Sequence, residues 1–204
     1  YFGDSEDRIQ EKDKIYGFSW FKGQNVTPNS RGLHINGPVD FYVHSPSKNF
    51  CDIFSTGVLR RRKINPLCKI ENVDFLINEP IFIPELLQHS ERMRFTCLSP
   101  IYLEKEREPF LYLEENRQEF SDLIFETLQK THYTLYSKEL DDHSFHFEFE
   151  NTYNMQHKLI KLRGKNYICY LQPFFLEGLP ETLDFAYASG LGYYTQLGFG
   201  SIQK

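Results

Sequence analysis

The chain has 204 residues, 40% hydrophobic and 25% charged, with a formal net charge of -5. That length holds one large domain or two small ones, with enough apolar content to bury a core, which excludes a disordered tail. No apolar run approaches the roughly 20 residues of a membrane span, so a soluble protein is expected, and the acidic balance excludes a surface coated uniformly in basic residues.

Residues 4–14 are polar and lack the charged and apolar regions of a signal peptide. Ile15 to Phe21 is aromatic and predicts a strand. Lys22 to Arg31 is rich in turn residues and reads as a link. Leu33-His34-Ile35 and Val39 to His44 follow, and a hairpin between them is expected. Phe50, Ile53, Phe54 and Val58 recur at helical spacing, with Ser45 or Ser47 as a cap. That helix ends in Arg60-Arg61-Arg62-Lys63, where cations suit the dipole, and Asn65-Pro66 stops it. Val73, Phe75 and Ile77 alternate with polar residues and predict a strand.

Further on, Arg94 to Leu98 predicts a strand, and a helix is expected around Glu115 to Lys130 with Phe120, Leu123, Ile124 and Leu128 inward. Phe145, Phe147 and Phe149 alternate with polar residues, a one-faced strand. Lys158 to Arg163 and Tyr167 to Leu176 predict a hairpin about Gly164-Lys165-Asn166. Pro180 opens a short helix to about Ser189, and Phe199 to Gln203 is a last strand. The fold class expected is α+β, with helices on one face of antiparallel sheet. Residues 91–204 read in the ferredoxin-like order βαββαβ. Residues 1–90 read as a related half without its opening strand and helix, which gives two tandem ferredoxin-like (RRM-like) halves.

Nineteen Phe and 13 Tyr against one Trp imply a phenylalanine-rich core and tyrosines near the surface. Cys51, Cys68, Cys97 and Cys169 are far apart with no CxxC, so neither a zinc site nor a redox pair is expected. Small buried thiols fit a reducing, cytoplasmic compartment.

The strongest local signal is Gly190-Leu191-Gly192-Tyr193-Tyr194-Thr195-Gln196-Leu197-Gly198-Phe199-Gly200. Glycines permit positive φ and close approach, and successive N–H groups can face a phosphate. The alternative is a helix C-cap followed by a bulged strand. Neither a Walker loop nor a dinucleotide fingerprint fits.

This array, preceded by Leu179-Pro180-Glu181, resembles the C-terminal glycine-rich loop of the RAMP-superfamily CRISPR repeat-RNA endoribonucleases of the Cas-six type. Phe18-Ser19-Trp20, Leu98-Ser99-Pro100-Ile101, Ile160-Lys161-Leu162 and Phe175-Leu176-Glu177-Gly178 resemble further pieces of that family in its order. The resemblance implies two ferredoxin-like halves and metal-independent cleavage of repeat RNA with no cofactor. In that chemistry the ribose 2′-hydroxyl attacks the adjacent phosphate, leaving a 2′,3′-cyclic phosphate. It needs a base, an acid and groups that hold the phosphate.

The family's catalytic histidine falls in or just after the first helix of the first half, a segment that precedes or overlaps Tyr1. No histidine occurs in residues 4–14, so none carries over. Of the seven present, His157 stands next to Lys158 and near Lys161, and is the substitute to test; His34 and His44 fall at strand or turn positions, His89 in a link, His132 at a helix end, and His143 and His146 beside the acidic strand.

Two basic clusters can take phosphate. Arg60, Arg61, Arg62 and Lys63 form one, with helix-end solvation as the plain alternative. Lys158, Lys161, Arg163 and Lys165 form the other, on a hairpin that the resemblance places at an RNA stem. Together with Gly190, Gly192, Tyr193, Tyr194, Gly198 and Gly200 they make the expected RNA-binding set. The carboxylates between Glu104 and Glu126 alternate with cations and read as a solvated face rather than a metal site. The expected partner is CRISPR repeat RNA, with other effector subunits, a fused domain and a homodimer left open, and no membrane. A catalytically inactive guide-RNA-binding relative and a ferredoxin-like module for a ligand or protein are the rival readings.

Overall fold

Residues 17–29 and 32–44 fold back on one another as one long, interrupted hairpin. The computed structural model describes residues 14–29, 32–35, 37–70, 73–78, 80–81, 90–104, 117–150 and 157–204. Strands β1 (Gly17–Phe18), β2 (Lys22–Gly23) and β3 (Val26–Asn29) run out; β4 (Gly32–Ile35), β5 (Val39–Asp40) and β6 (Val43–His44) return. The pairs nest: β3 with β4, β2 with β5, β1 with β6, all antiparallel. This corrects two expectations. The link after Phe21 contains strands, and Leu33 to Ile35 pairs backwards with Val26 to Asn29 rather than forwards with Val39 to His44. The register slips by one residue near Gly37, whose φ is 115, and slips back between Phe18 and Lys22. Such bulges break the alternation that a strand prediction needs.

Helix α1 (Lys48–Ile64) follows, with the Ser47 side chain accepting from the Phe50 N–H at 3.2 Å. Phe50 is its buried residue and stacks between Tyr16 and Phe54. Strands β7 (Leu67–Ile70) and β8 (Val73–Leu76) form a hairpin of their own. The first of these lies directly after Pro66, where only a helix stop is expected from the sequence.

The second half is built on a four-stranded antiparallel sheet. Strand β9 (Arg92–Cys97) leads to the short β10 (Ile101–Tyr102) and then to helix α2 (Arg117–Tyr136). Strands β11 (His146–Phe149), β12 (His157–Leu162), β13 (Lys165–Tyr170) and β14 (Phe174–Glu177) precede helix α3 (Pro180–Ser189) and β15 (Ile202–Gln203). The sheet order β11-β14-β9-β15 is the ferredoxin-like one, with the β12–β13 hairpin inserted between its second and third strands. That hairpin joins β10 in a separate three-stranded sheet. Tyr167 to Leu176, expected as one strand, is therefore two strands in two sheets, parted at Leu171–Pro173 where proline cannot donate to a ladder.

Alternation dictates the core. Met93 and Phe95, Phe147 and Phe149, and Phe174 and Leu176 turn to the helix side. They pack on Phe120, Ile124 and Leu128 of α2 and on Leu183 and Ala186 of α3. No described helix is long and apolar enough to cross a membrane. The four cysteines are free thiols, and burial pushes Cys97 and Cys169 up to about 12, so both stay protonated.

Candidate nucleic-acid interface

The glycine-rich loop turns back on itself directly after α3. Gly190 donates its N–H to the Ala186 carbonyl at 3.0 Å and caps the helix. Leu191 N–H donates to Gly200 O at 2.9 Å, and Gly200 N–H donates to Pro100 O at 2.8 Å. Gly200 has φ 67, and a Cβ there would overlap the Leu191 carbonyl oxygen. Gly192, at φ 80, faces the Tyr102 carbonyl too closely for a Cβ, while Tyr193 N–H donates to that oxygen at 2.9 Å. Gly198 N–H is held by Thr195 O at 3.0 Å. Gly190, Gly198 and Gly200 are buried. The amides of these three are thus spent within the chain, and the close approach they permit is of the chain to itself. The exposed residues of the loop are Tyr194, at its tip, and Gln196.

The same loop forms the seam between the halves. Thr195 Oγ1 donates to Tyr16 O at 3.2 Å, Gly198 lies against the Phe18 ring, and Trp20 N–H donates to Leu98 O at 3.3 Å. His44 is the centre of the seam. Its Nδ1 is 3.0 Å from the Ala188 carbonyl, and its ring packs on Gly17 and Gly190. Nε2 is sealed from solvent, with no hydrogen-bond partner among the described residues. Burial pushes the imidazole below its ordinary pKa, against the pull of the Ala188 carbonyl. His44 is therefore neutral with the proton on Nδ1. Nothing in the sequence sets it apart from the other histidines, because its partner is 144 positions away.

At the loop tip the Tyr194 backbone is left-handed, with φ 62. Its ring is 39% exposed and stacks on Tyr102 at 5.6 Å with 14° between planes. Tyr167 meets both rings edge-on, at 5.0 Å and 5.9 Å. Tyr194 Oη donates to Glu104 Oε2 at 3.3 Å, and the Glu104 charge also acts on the Tyr102 phenol. Burial, then the Glu104 charge, raise both tyrosine pKa values, so both phenols stay protonated as donors. Of this group the sequence points to Tyr194, with Tyr193 tilted beside it at 6.4 Å. Tyr102, Tyr167 and Glu104 escape a reading of the sequence, since they come together only through the β10–β13 pairing.

Register sorts the hairpin cations. Lys158 pairs with Cys169, which pairs with Tyr102, so all three share a face. Lys165 pairs with Leu162 on that same face, two residues from Tyr167. Lys161 pairs with Asn166 and His157 with Tyr170, both on the opposite face. His157 is exposed but turned away from the tyrosines. Arg163 and Gly164 form the two-residue turn, with φ 50 and 80. All four cations are exposed.

Arg60, Arg61 and Arg62 lie on the last turns of α1 in the first half, in a hairpin neighbourhood separate from β12–β13. Arg61 Nη2 donates to the Leu67 carbonyl at 3.0 Å. Arg62 and Lys63 line an open hollow of about 420 Å³ with Pro66, Leu76, Ile77 and Asn78. His89 and residues 105–116 of the acidic run lie outside the described residues.

Residues 82–203 match the family model described as CRISPR associated protein Cas6, C-terminal. The chain is 25% identical over 199 residues to "CRISPR-associated endoribonuclease Cas6 1" of Methanocaldococcus jannaschii, covering 94% of this chain and 74% of that protein. A solved "CRISPR associated protein Cas6" superposes with TM-score 0.76 at 23% identity, over 94% of this chain and 78% of its own. A Cas6-related protein from Pyrococcus furiosus gives TM-score 0.71 at 20% identity, over 93% and 77%. A structure named as a RAMP protein binding different RNA substrates gives 0.72 at 21%, over 93% and 78%.

Proposed function

The chain belongs to the CRISPR-associated Cas6 family, and we propose from that premise that it binds CRISPR repeat RNA and cuts precursor transcripts into guide RNAs. The observation that carries the reading is the exposed basic hairpin inserted into the ferredoxin-like unit, with two of its lysines on the face of the tyrosine-tipped glycine loop. Lys158, Lys161, Arg163 and Lys165 take phosphates, Tyr193 and Tyr194 take bases, and Arg60 to Arg62 extend the track along the first half. Gly190, Gly192, Gly198 and Gly200 serve by holding the loop in shape. The division falls near residue 90, between two ferredoxin-like halves.

The reaction proposed needs no metal. The 2′-oxygen loses its proton and attacks phosphorus, the bond from phosphorus to the 5′-oxygen breaks, and that oxygen takes up a proton. The products are a 2′,3′-cyclic phosphate and a 5′-hydroxyl. One observation favours a second reading, a guide-RNA binder without cleavage. Among the described residues, the histidine beside the glycine loop has one ring nitrogen bonded and the other sealed, and His157 faces away.

Incubation of the protein in EDTA with the repeat RNA of its own array separates the readings. Cleavage at one site, leaving a cyclic phosphate and a 5′-end that polynucleotide kinase labels directly, is the expected result. Tight binding without cleavage would replace the enzyme with the binder. Binding that ignores both salt and replacement of Arg163 and Lys165 would indicate a ferredoxin-like module for another ligand or a protein.

A further inference from the structure

We propose that Tyr194, Tyr102, Tyr167 and Glu104 form a base-reading site that takes one unpaired guanine of a bound RNA. The inference rests on the RNA-binding reading above and adds a base identity to it.

Tyr194 offers a largely planar, partly exposed ring whose other face is backed by Tyr102. A ring braced in this way loses little freedom when a base stacks on it, and stacking on an aromatic face tolerates every base. The left-handed backbone at Tyr194 holds the ring at the loop tip, a conformation that a non-glycine residue adopts at a cost and that functional sites retain. Stacking alone does not choose among bases. Glu104 does. Its carboxylate is exposed and oriented by the hydroxyl of Tyr194.

A carboxylate only accepts hydrogen bonds, so it rewards bases whose free edge donates. On the Watson–Crick edge guanine alone presents two adjacent donors, N1–H and the N2 amine, which match two carboxylate oxygens. Cytosine and adenine offer one amine beside an acceptor, and uracil one N–H between two carbonyls. A carboxylate on a phosphate-binding surface otherwise only repels, so its place here favours a base edge over a backbone contact. Lys158, in the same cross-strand row as Tyr102, and Lys165, beside Tyr167, supply cations on that face for the flanking phosphates.

The test uses the full chain and fluorescent RNA octamers: octauridylate, and the same strand with a single central guanosine, inosine or adenosine. Anisotropy is expected to show the guanosine octamer bound about tenfold more tightly than octauridylate, the scale of a paired base contact. Inosine, which keeps N1–H but lacks the N2 amine, should lose most of that gain. Glu104→Gln should bring guanosine and uridine octamers within about twofold of each other. Tyr194→Phe, which keeps the stacking ring but frees Glu104, should lower the preference without abolishing binding. Base preference is the readout because a merely structural role would change all octamers alike; thermal melting of each variant confirms folding.

Equal affinity for guanosine and uridine octamers, or a guanosine preference that survives Glu104→Gln, overturns the site. If salt dependence and weakening by Lys158→Gln and Lys165→Gln persist in that case, the RNA-binding reading stands without it. If no octamer binds at low salt while the repeat RNA does, the site falls and the RNA-binding reading stands; if neither binds, both fall.

Discussion

His44 shows how one side chain can tie a fold to its acidity. The imidazole is neutral because burial disfavours its charge, and its sealed Nε2 has no hydrogen-bond partner among the described residues. In the unfolded chain the same group titrates near 6.5. The folded pKa lies below that value, so the unfolded state binds more protons once the pH drops under it. Stability is then lost on acidification from about pH 6.5 towards the lower folded value. His44→Asn keeps an N–H donor where Nδ1 sits and removes the titration. Melting of the variant should therefore fall less between pH 7 and pH 5 than melting of the parent chain. An equal fall in both would show that the seam does not sense this proton.

At the scale of elements, the β12–β13 hairpin carries its own conflict. Its turn needs positive φ at both central residues, for which Asn-Gly is the favoured pair, yet the chain places Arg163 there at φ 50. A cation is held at the tip in spite of backbone preference. Arg163→Asn should raise stability by up to about 1 kcal/mol in urea unfolding and weaken RNA binding at the same time. Gain in both properties would remove Arg163 from the binding track. Local signals make several elements legible: the Ser47 cap and helical spacing for α1, Pro180 for α3, alternating phenylalanines for β11. The β1–β6 hairpin is not legible, because bulges near Gly37 and after Phe18 shift the register that alternation depends on. The glycine loop stands out in the sequence as an array of glycines, but its role as a joint does not, since its partners Pro100, Tyr102, Tyr16 and Phe18 are remote in sequence.

For the whole molecule, the net charge of -5 is unevenly placed. Five acids fall in Asp4 to Asp13, eight in Glu104 to Glu126 and five in Glu139 to Glu150, while residues 158–166 and 190–201 hold none. The outer face of the ferredoxin-like sheet, where RRM-type proteins stack bases, is committed otherwise. Arg92 bridges Glu148 at 2.7 Å and Glu177 at 3.5 Å and lies over the Phe175 ring at 4.3 Å. Arg94 holds Glu150 through two 2.8 Å bonds. These exposed pairs add little stability, but their cations and carboxylates neutralise one another. The charge of this face is thereby spent within the sheet.

The central claim is that this confined cationic track, not the molecule's overall charge, captures RNA. Its most direct test is the salt dependence of repeat-RNA binding by the parent chain and by the Arg163→Gln, Lys165→Gln double variant. The slope of log affinity against log salt should flatten by about 1.4, from roughly 0.7 for each single-stranded phosphate that the variant no longer neutralises. An unchanged slope with unchanged affinity would contradict the account.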